Sequence, residues 1–206
     1  MHNIPNLDFW YFSGDEEMNT TLTATAISDQ SATYPGLFRG EGVVRITSND
    51  HGFKVSENPL NQGHKPPNCI FIQGTTGRAF DGLRRIIAVA ADTIDVVAPV
   101  SVLTPGGTET ARPAVQFNHP CWFYGFKVHL SAASATTENL VCSIDADKGA
   151  AWDVNIYTKD MNGVQDDIYI PSKPIPIAPR DILYFTWANT NDTLWGLELA
   201  TFRAAR

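Results

Sequence analysis

The chain has 206 residues, 43% of them hydrophobic and 18% charged, and a formal net charge of -7. That length and apolar content suffice for one large or two smaller cores, while the acidic balance leaves no basic patch able to neutralise phosphates, which argues against a nucleic-acid partner. No run of about 18 apolar residues exists to span a bilayer, and the start MHNIPNLDFW lacks the regions of a signal peptide, so a protein made in a cytoplasm, with no membrane partner, is expected.

Short runs of Val, Ile, Thr and aromatic residues, broken about every ten positions by Gly, Pro, Asn or Asp, predict an all-β protein with helix limited to single turns. Residues 1–36 are expected to form an N-terminal arm. Its four consecutive aromatics, Phe9, Trp10, Tyr11 and Phe12, are too apolar to stay in water, so they pack within the chain or form an assembly interface with a neighbouring subunit.

Residues 37–103 predict a small β module, barrel-like or a curled sheet. Its strands are Gly42 to Thr47, Asn68 to Ile72, Leu83 to Val89 and Thr93 to Val97, with turns at His51-Gly52-Phe53, Gly74 to Gly77 and Asp92. The stretch KVSENPLNQGHKPP from Lys54 to Pro67 is an exposed loop; His51 sits in a tight turn before Gly52 and His64 has no acidic or Cys partner at ligand spacing, so no metal is expected there. Residues 104–112, where Pro, Gly and Thr replace the apolar period, are expected to be a linker.

Residues 113–206 predict an antiparallel β-sandwich, jelly-roll-like, with strands at Trp122 to Leu130, Leu140 to Asp145, Trp152 to Thr158, Asp167 to Ile170, Ile182 to Trp187 and Thr193 to Phe202, and a seventh at Ala114 to Phe117. Four prolines make IPSKPIPIAPRD an extended crossover or edge segment. In TWANTNDTLWGLEL, Thr186 to Leu199, the polar insert reads as a hairpin turn with a wet tip. Asn189, Asn191 and Asp192 suit turn chemistry, and the rival role for them is a recognition loop.

Cys69, Cys121 and Cys142, odd in number and far apart, read as buried free thiols. Asp145, Asp147 and Asp153 resemble the start of a calcium loop, but Ile156 stands where the closing Glu belongs. With no nucleophile elbow, zincin motif or phosphate loop, no catalytic residue, metal or cofactor is expected, and the protein is read as a non-enzyme.

Two stretches carry a family resemblance. ITSNDHGF followed by IFIQGTTGRAFDGLRRIIAVAADTIDV resembles a small β module repeated in tailed-bacteriophage proteins. The series from NLVCSIDADKG through KDMNGV, the proline-rich connection, WANTN and GLEL is similar to a domain of tailed-phage structural proteins, except that Arg180 precedes Asp181 where relatives often carry Gly. The resemblance implies a non-enzymatic virion component: a capsid cement or decoration protein, or a small neck or tail protein. With the aromatic arm, it points to a homo-oligomer, expected as a trimer, bound to capsid or tail subunits, made in the host cytoplasm and residing in the virion. The alternative is a host-glycan-binding module of a receptor-binding apparatus.

Overall fold

The structure, a computed structural model, describes residues 7–15, 17–18, 20–22, 24–29, 42–48, 53, 69–73, 81–98 and 109–203. Its regular elements are sixteen strands and one 3-10 turn, Ala150–Trp152, among the described residues. All the pairings between these strands are antiparallel.

Two sheets make the C-terminal sandwich. One has the order β1 (Leu7–Gly14), β16 (Trp195–Arg203), β10 (Cys121–Leu130) and β13 (Asp166–Tyr169), with β14 (Ile175–Ile177) lying beyond β13 along the same side of β10. The other has the order β12 (Val154–Asp160), β11 (Asn139–Asp145), β15 (Ile182–Thr186) and β9 (Ala114–Gln116). Period-two patterning decides what fills the space between them. Phe123, Phe126, Val128, Leu130, Leu197 and Leu199 from the first sheet meet Leu140, Cys142, Ile144, Leu183 and Phe185 from the second. The Phe126 ring stands edge-on to Phe185 and Tyr157 at 5.0 and 5.1 Å, across the gap between the sheets.

One residue breaks the alternation for a reason. Phe123 and Phe126 both point inward, so Tyr124 and Gly125 form a bulge opposite Ala200. A Cβ on Gly125 would lie 2.5 Å from the Tyr169 carbonyl oxygen, so only glycine lets β13 close on β10 there. Tyr124 is turned to the outside of the sandwich and is 43% exposed.

The seven-stranded sheet of the N-terminal module has the order β2 (Thr20–Leu22), β8 (Glu109–Arg112), β5 (Cys69–Gln73), β6 (Gly82–Ala90), β7 (Thr93–Ala98), β4 (Gly42–Ser48) and β3 (Ala24–Asp29). It is not a closed barrel. Yet its two edge strands are separated by one residue in the sequence, so the sheet curls until its edges approach where the chain passes between them. Ile46, Phe53, Ile70, Ile72, Ile86, Ile94 and Val96 fill the inside of the curl. On the other face of the same strands, buried Asp95 takes a two-pronged bond from Arg45, at 2.7 and 2.8 Å.

Several segments take parts that their sequence did not suggest. The arm does not stand apart: β1 completes a sandwich sheet while β2 and β3 form both edges of the module sheet, so the first strands staple the two units together. The last four residues of the expected linker are β8, which pairs with β2 and β5. The insert of TWANTNDTLWGLEL is not a hairpin turn, because β15 and β16 belong to opposite sheets and ANTND bridges the end of the sandwich between them. The expected turns at residues 51–52 and 74–77, the loop 54–67 with His64, and residues 104–108 lie outside the described residues.

Candidate assembly surface

The four aromatics of the arm divide by strand alternation. Phe12 is buried in the sandwich core opposite Leu197, and Trp10 packs on Phe117 with ring centres 5.7 Å apart while its Nε1 donates to Thr201 Oγ1 at 3.0 Å. Phe9 and Tyr11 point the other way. Phe9 is 42% exposed, and burial, followed by the nearby Glu198 carboxylate, pushes the Tyr11 phenol above its ordinary pKa. Half of the expected interface is therefore consumed inside the chain, and half lies on the outer face of the five-stranded sheet.

That outer face can be read row by row from the strand register. Ser13, Gly196, His129 and Asp166 form one row, and Tyr11, Glu198, Lys127 and Ile168 the next. Phe9 and Ala200 follow, beside the outturned Tyr124; then come Leu7, Phe202 and Trp122. The Trp122 and Phe202 rings stack at 6.1 Å with 15° between planes, and Tyr124 meets Phe202 edge-on at 6.4 Å. Ile168 and Ile170 are 68% and 62% exposed. An outer sandwich face is ordinarily polar, so exposed apolar side chains of this kind make it a candidate contact surface.

The face carries few charges, and they are paired with one another. Lys127 Nζ lies 3.0 Å from Glu198 Oε2, and His129 Nδ1 lies 2.6 Å from Asp166 Oδ1. Between these pairs runs a groove of about 440 Å³, lined by Tyr11, Ser13, Val128, Ile168 and Leu197 among others, with Gly196 in its wall. The aromatics Trp122, Tyr124 and Phe202 were not singled out from the sequence. The signal was present: CWFYGF puts apolar residues at consecutive positions, which a strand with one wet face does not tolerate.

The expected recognition loop is locked rather than presented. Asn189 is 1% exposed with φ 48°; its Nδ2 donates to the carbonyls of Asp15 and Thr193, both at 3.0 Å, and its Oδ1 accepts the Thr193 N–H at 3.1 Å. A wet tip was expected here, but the need to satisfy a left-handed backbone inside the sandwich end draws Asn189 in. Thr190 donates its N–H and hydroxyl to Glu138, and Asn191 Nδ2 donates to Thr136 Oγ1 at 2.9 Å. Asn191 and Asp192 are exposed; Asp192 has φ 49° and returns its N–H to the Asn189 carbonyl.

A polar cleft of about 550 Å³ separates the module from the sandwich, lined by Gln73, Asp81, Gln116, Asn118, Asp147 and Arg180 among others. The three carboxylates of the calcium-like loop are spent on protein partners there: Asp145 faces Arg112 at 3.7 Å, Asp147 faces Arg180 at 3.2 Å, and Asp153 accepts the Ala146 N–H at 2.9 Å. No group of three or more His, Cys, Asp or Glu side chains is placed to hold a metal among the described residues. All three cysteines are buried thiols outside any disulfide, and burial pushes those of Cys69 and Cys121 up to about 12, which makes them inert at neutral pH. No family model, curated protein or solved structure matches this chain.

Proposed function

We propose that the chain is a non-enzymatic structural accessory protein of a tailed-phage virion, a capsid cement or decoration protein or a small neck or tail component, acting through protein–protein contact as a homo-oligomer. The observation that carries the assembly role is the outer face of the five-stranded sheet, where Phe9, Tyr124, Ile168 and Ile170 lie exposed. Burying apolar surface at about 25 cal/mol per Å² makes such a face a source of binding energy and a poor site for chemistry. The order of turn motifs supplies the virion context, and the trimeric state remains an expectation from the sequence.

A rival role as a glycan-binding module draws on the same aromatics, since Tyr124 beside the Trp122–Phe202 stack offers a flat apolar platform. The test is co-expression with capsid and tail subunits, wild type against Ile168→Asp/Ile170→Asp, with a glycan array run in parallel. Retention of a virion subunit by the wild type alone supports the assembly role. Retention of a glycan and of no subunit sinks it.

A further inference from the structure

We infer that the outer face of β1, β16, β10 and β13 receives a second copy of this chain, face to face about a two-fold axis. The inference rests on the assembly role proposed above and names its partner.

The relief of the face is self-complementary. A side chain added at Gly196 would meet no atom within 4 Å of its Cβ, so the groove there is open to an incoming group. Ile168 rises beside it, 68% exposed, on the second strand over. Two strand spacings and a step of two residues along the strand put projection and opening roughly 12 Å apart. A two-fold axis midway between them seats each copy's Ile168 in the other's groove, which is how an isologous contact works: residue i meets j, and j meets i.

Charge favours the same partner. A chain of net charge -7 repels its own copies through most of its surface. On this face Lys127 is neutralised by Glu198, and the Asp166 carboxylate is bonded by His129, so apposition of two copies brings no unmatched cation together. A basic partner would find no concentrated negative charge to recognise here.

The area is sufficient. Strands β1, β16 and β10, paired over eight residues, with β13 and β14 filling a fourth column over four and three, give at about 4.8 by 3.4 Å per residue a plan of about 500 Å² per copy and about 1,000 Å² for the pair, at the threshold for a specific interface. The contact pairs copies, so the trimer expected from the sequence would need a separate surface.

Sedimentation of the full chain at rising concentration tests this, together with Ile168→Asp, which sets two carboxylates into the contact, and Gly196→Leu, which fills the groove. Both sites are open to solvent, and circular dichroism with thermal melting checks that the variants fold. The expected result is a concentration-dependent wild-type dimer, weakened at least about ten-fold in each variant. A wild type that stays monomeric, or an oligomer that neither variant disturbs, overturns the inference. If the monomer still captures a virion subunit through this face, the assembly role stands and only the second copy falls; if it captures nothing, both fall.

Discussion

The two outer faces of the sandwich differ in what covers them. On the four-stranded sheet, Ala114, Ile182 and Tyr184 are apolar and lie under Phe71 and Leu83 of the N-terminal module, with the Arg112 guanidinium 4.1 Å above the Tyr184 ring. Where the module does not reach, the same sheet turns polar: Ser143 Oγ donates to Asn155 Oδ1 at 2.7 Å, and Asn139, Thr158 and Asp160 are exposed. Among the described residues, the outer face of the five-stranded sheet leaves Phe9, Tyr124, Ile168 and Ile170 exposed beside the Lys127–Glu198 and His129–Asp166 pairs. On one face, then, apolar residues end where intramolecular cover ends, and it is their persistence on the other that the proposed assembly role draws on.

The sharpest way to break this comparison is to truncate one aromatic on each face. Phe71 is 2% exposed at the junction of module and sandwich, so Phe71→Ala should cost about 3 to 5 kcal/mol in urea denaturation, through lost transfer energy and the cavity left behind. Tyr124→Ala should cost under about 1 kcal/mol in the monomer and act on association instead. Equal losses would mean that both faces are packed within the chain.

High pH probes the core beneath both faces. Cys69 belongs to β5 of the module and Cys121 to β10 of the open sheet, and burial raises both thiols from 9.0 to about 12. A raised folded pKa contributes stability that is intact below the unfolded value and lost as pH climbs to the folded one. Stability should therefore hold to about pH 9 and fall between pH 9 and 12, by at most about 4 kcal/mol per thiol. Denaturation midpoints at pH 7 and pH 11 measure the drop, and Cys69→Ala with Cys121→Ala should flatten it.

Much of this architecture was legible in the sequence, because alternation in residues 126–130 and 182–187 and the Gly, Pro and Asp turns fix strands locally. The β-sandwich and the core places of Phe185, Leu197 and Leu199 follow from the same pattern. What was not legible depends on pairing between distant segments. Nothing local tells Leu7–Gly14 to pair with Trp195–Arg203, or tells β15 and β16 that they belong to opposite sheets. The candidate surface was half legible for that reason: Phe9 and Tyr11 stood out as part of an aromatic run, whereas Trp122, Tyr124 and Phe202 become one cluster only once β10 lies beside β16 and bulges at Gly125.

A smaller effect separates structural from presenting residues at the end of the sandwich. Asn189→Ala removes the part-buried hydrogen bonds to Asp15 and Thr193 and leaves a side chain with Cβ at φ 48°, so a loss of about 2 to 3 kcal/mol is expected. Asn191→Ala gives up one exposed bond to Thr136 and should cost under about 1 kcal/mol. Thermal melts of the pair decide this, and equal losses would mean that the loop is uniformly structural.

The smallest expected change lies at the margin of the covered face. Arg180 has φ 74°, a left-handed backbone where a Cβ costs about 1 to 2 kcal/mol, which explains why a glycine before Asp181 would suit this turn. The turn is held by its main chain: the Arg180 N–H donates to the Phe117 carbonyl at 2.7 Å, and its own carbonyl accepts Gln116 Nε2 at 2.6 Å. What the side chain adds is an ion pair with Asp147 at 3.2 Å, with the two side chains 65% and 41% exposed, an arrangement worth little in water. Arg180→Gly should therefore leave stability unchanged or raise it by up to about 1 kcal/mol, since relief of strain offsets the lost pair and the greater freedom of glycine in the unfolded chain. A loss above about 1 kcal/mol in urea denaturation would show that the cleft between module and sandwich depends on this guanidinium, and that the covered face is held by charge as well as by Phe71 and Leu83.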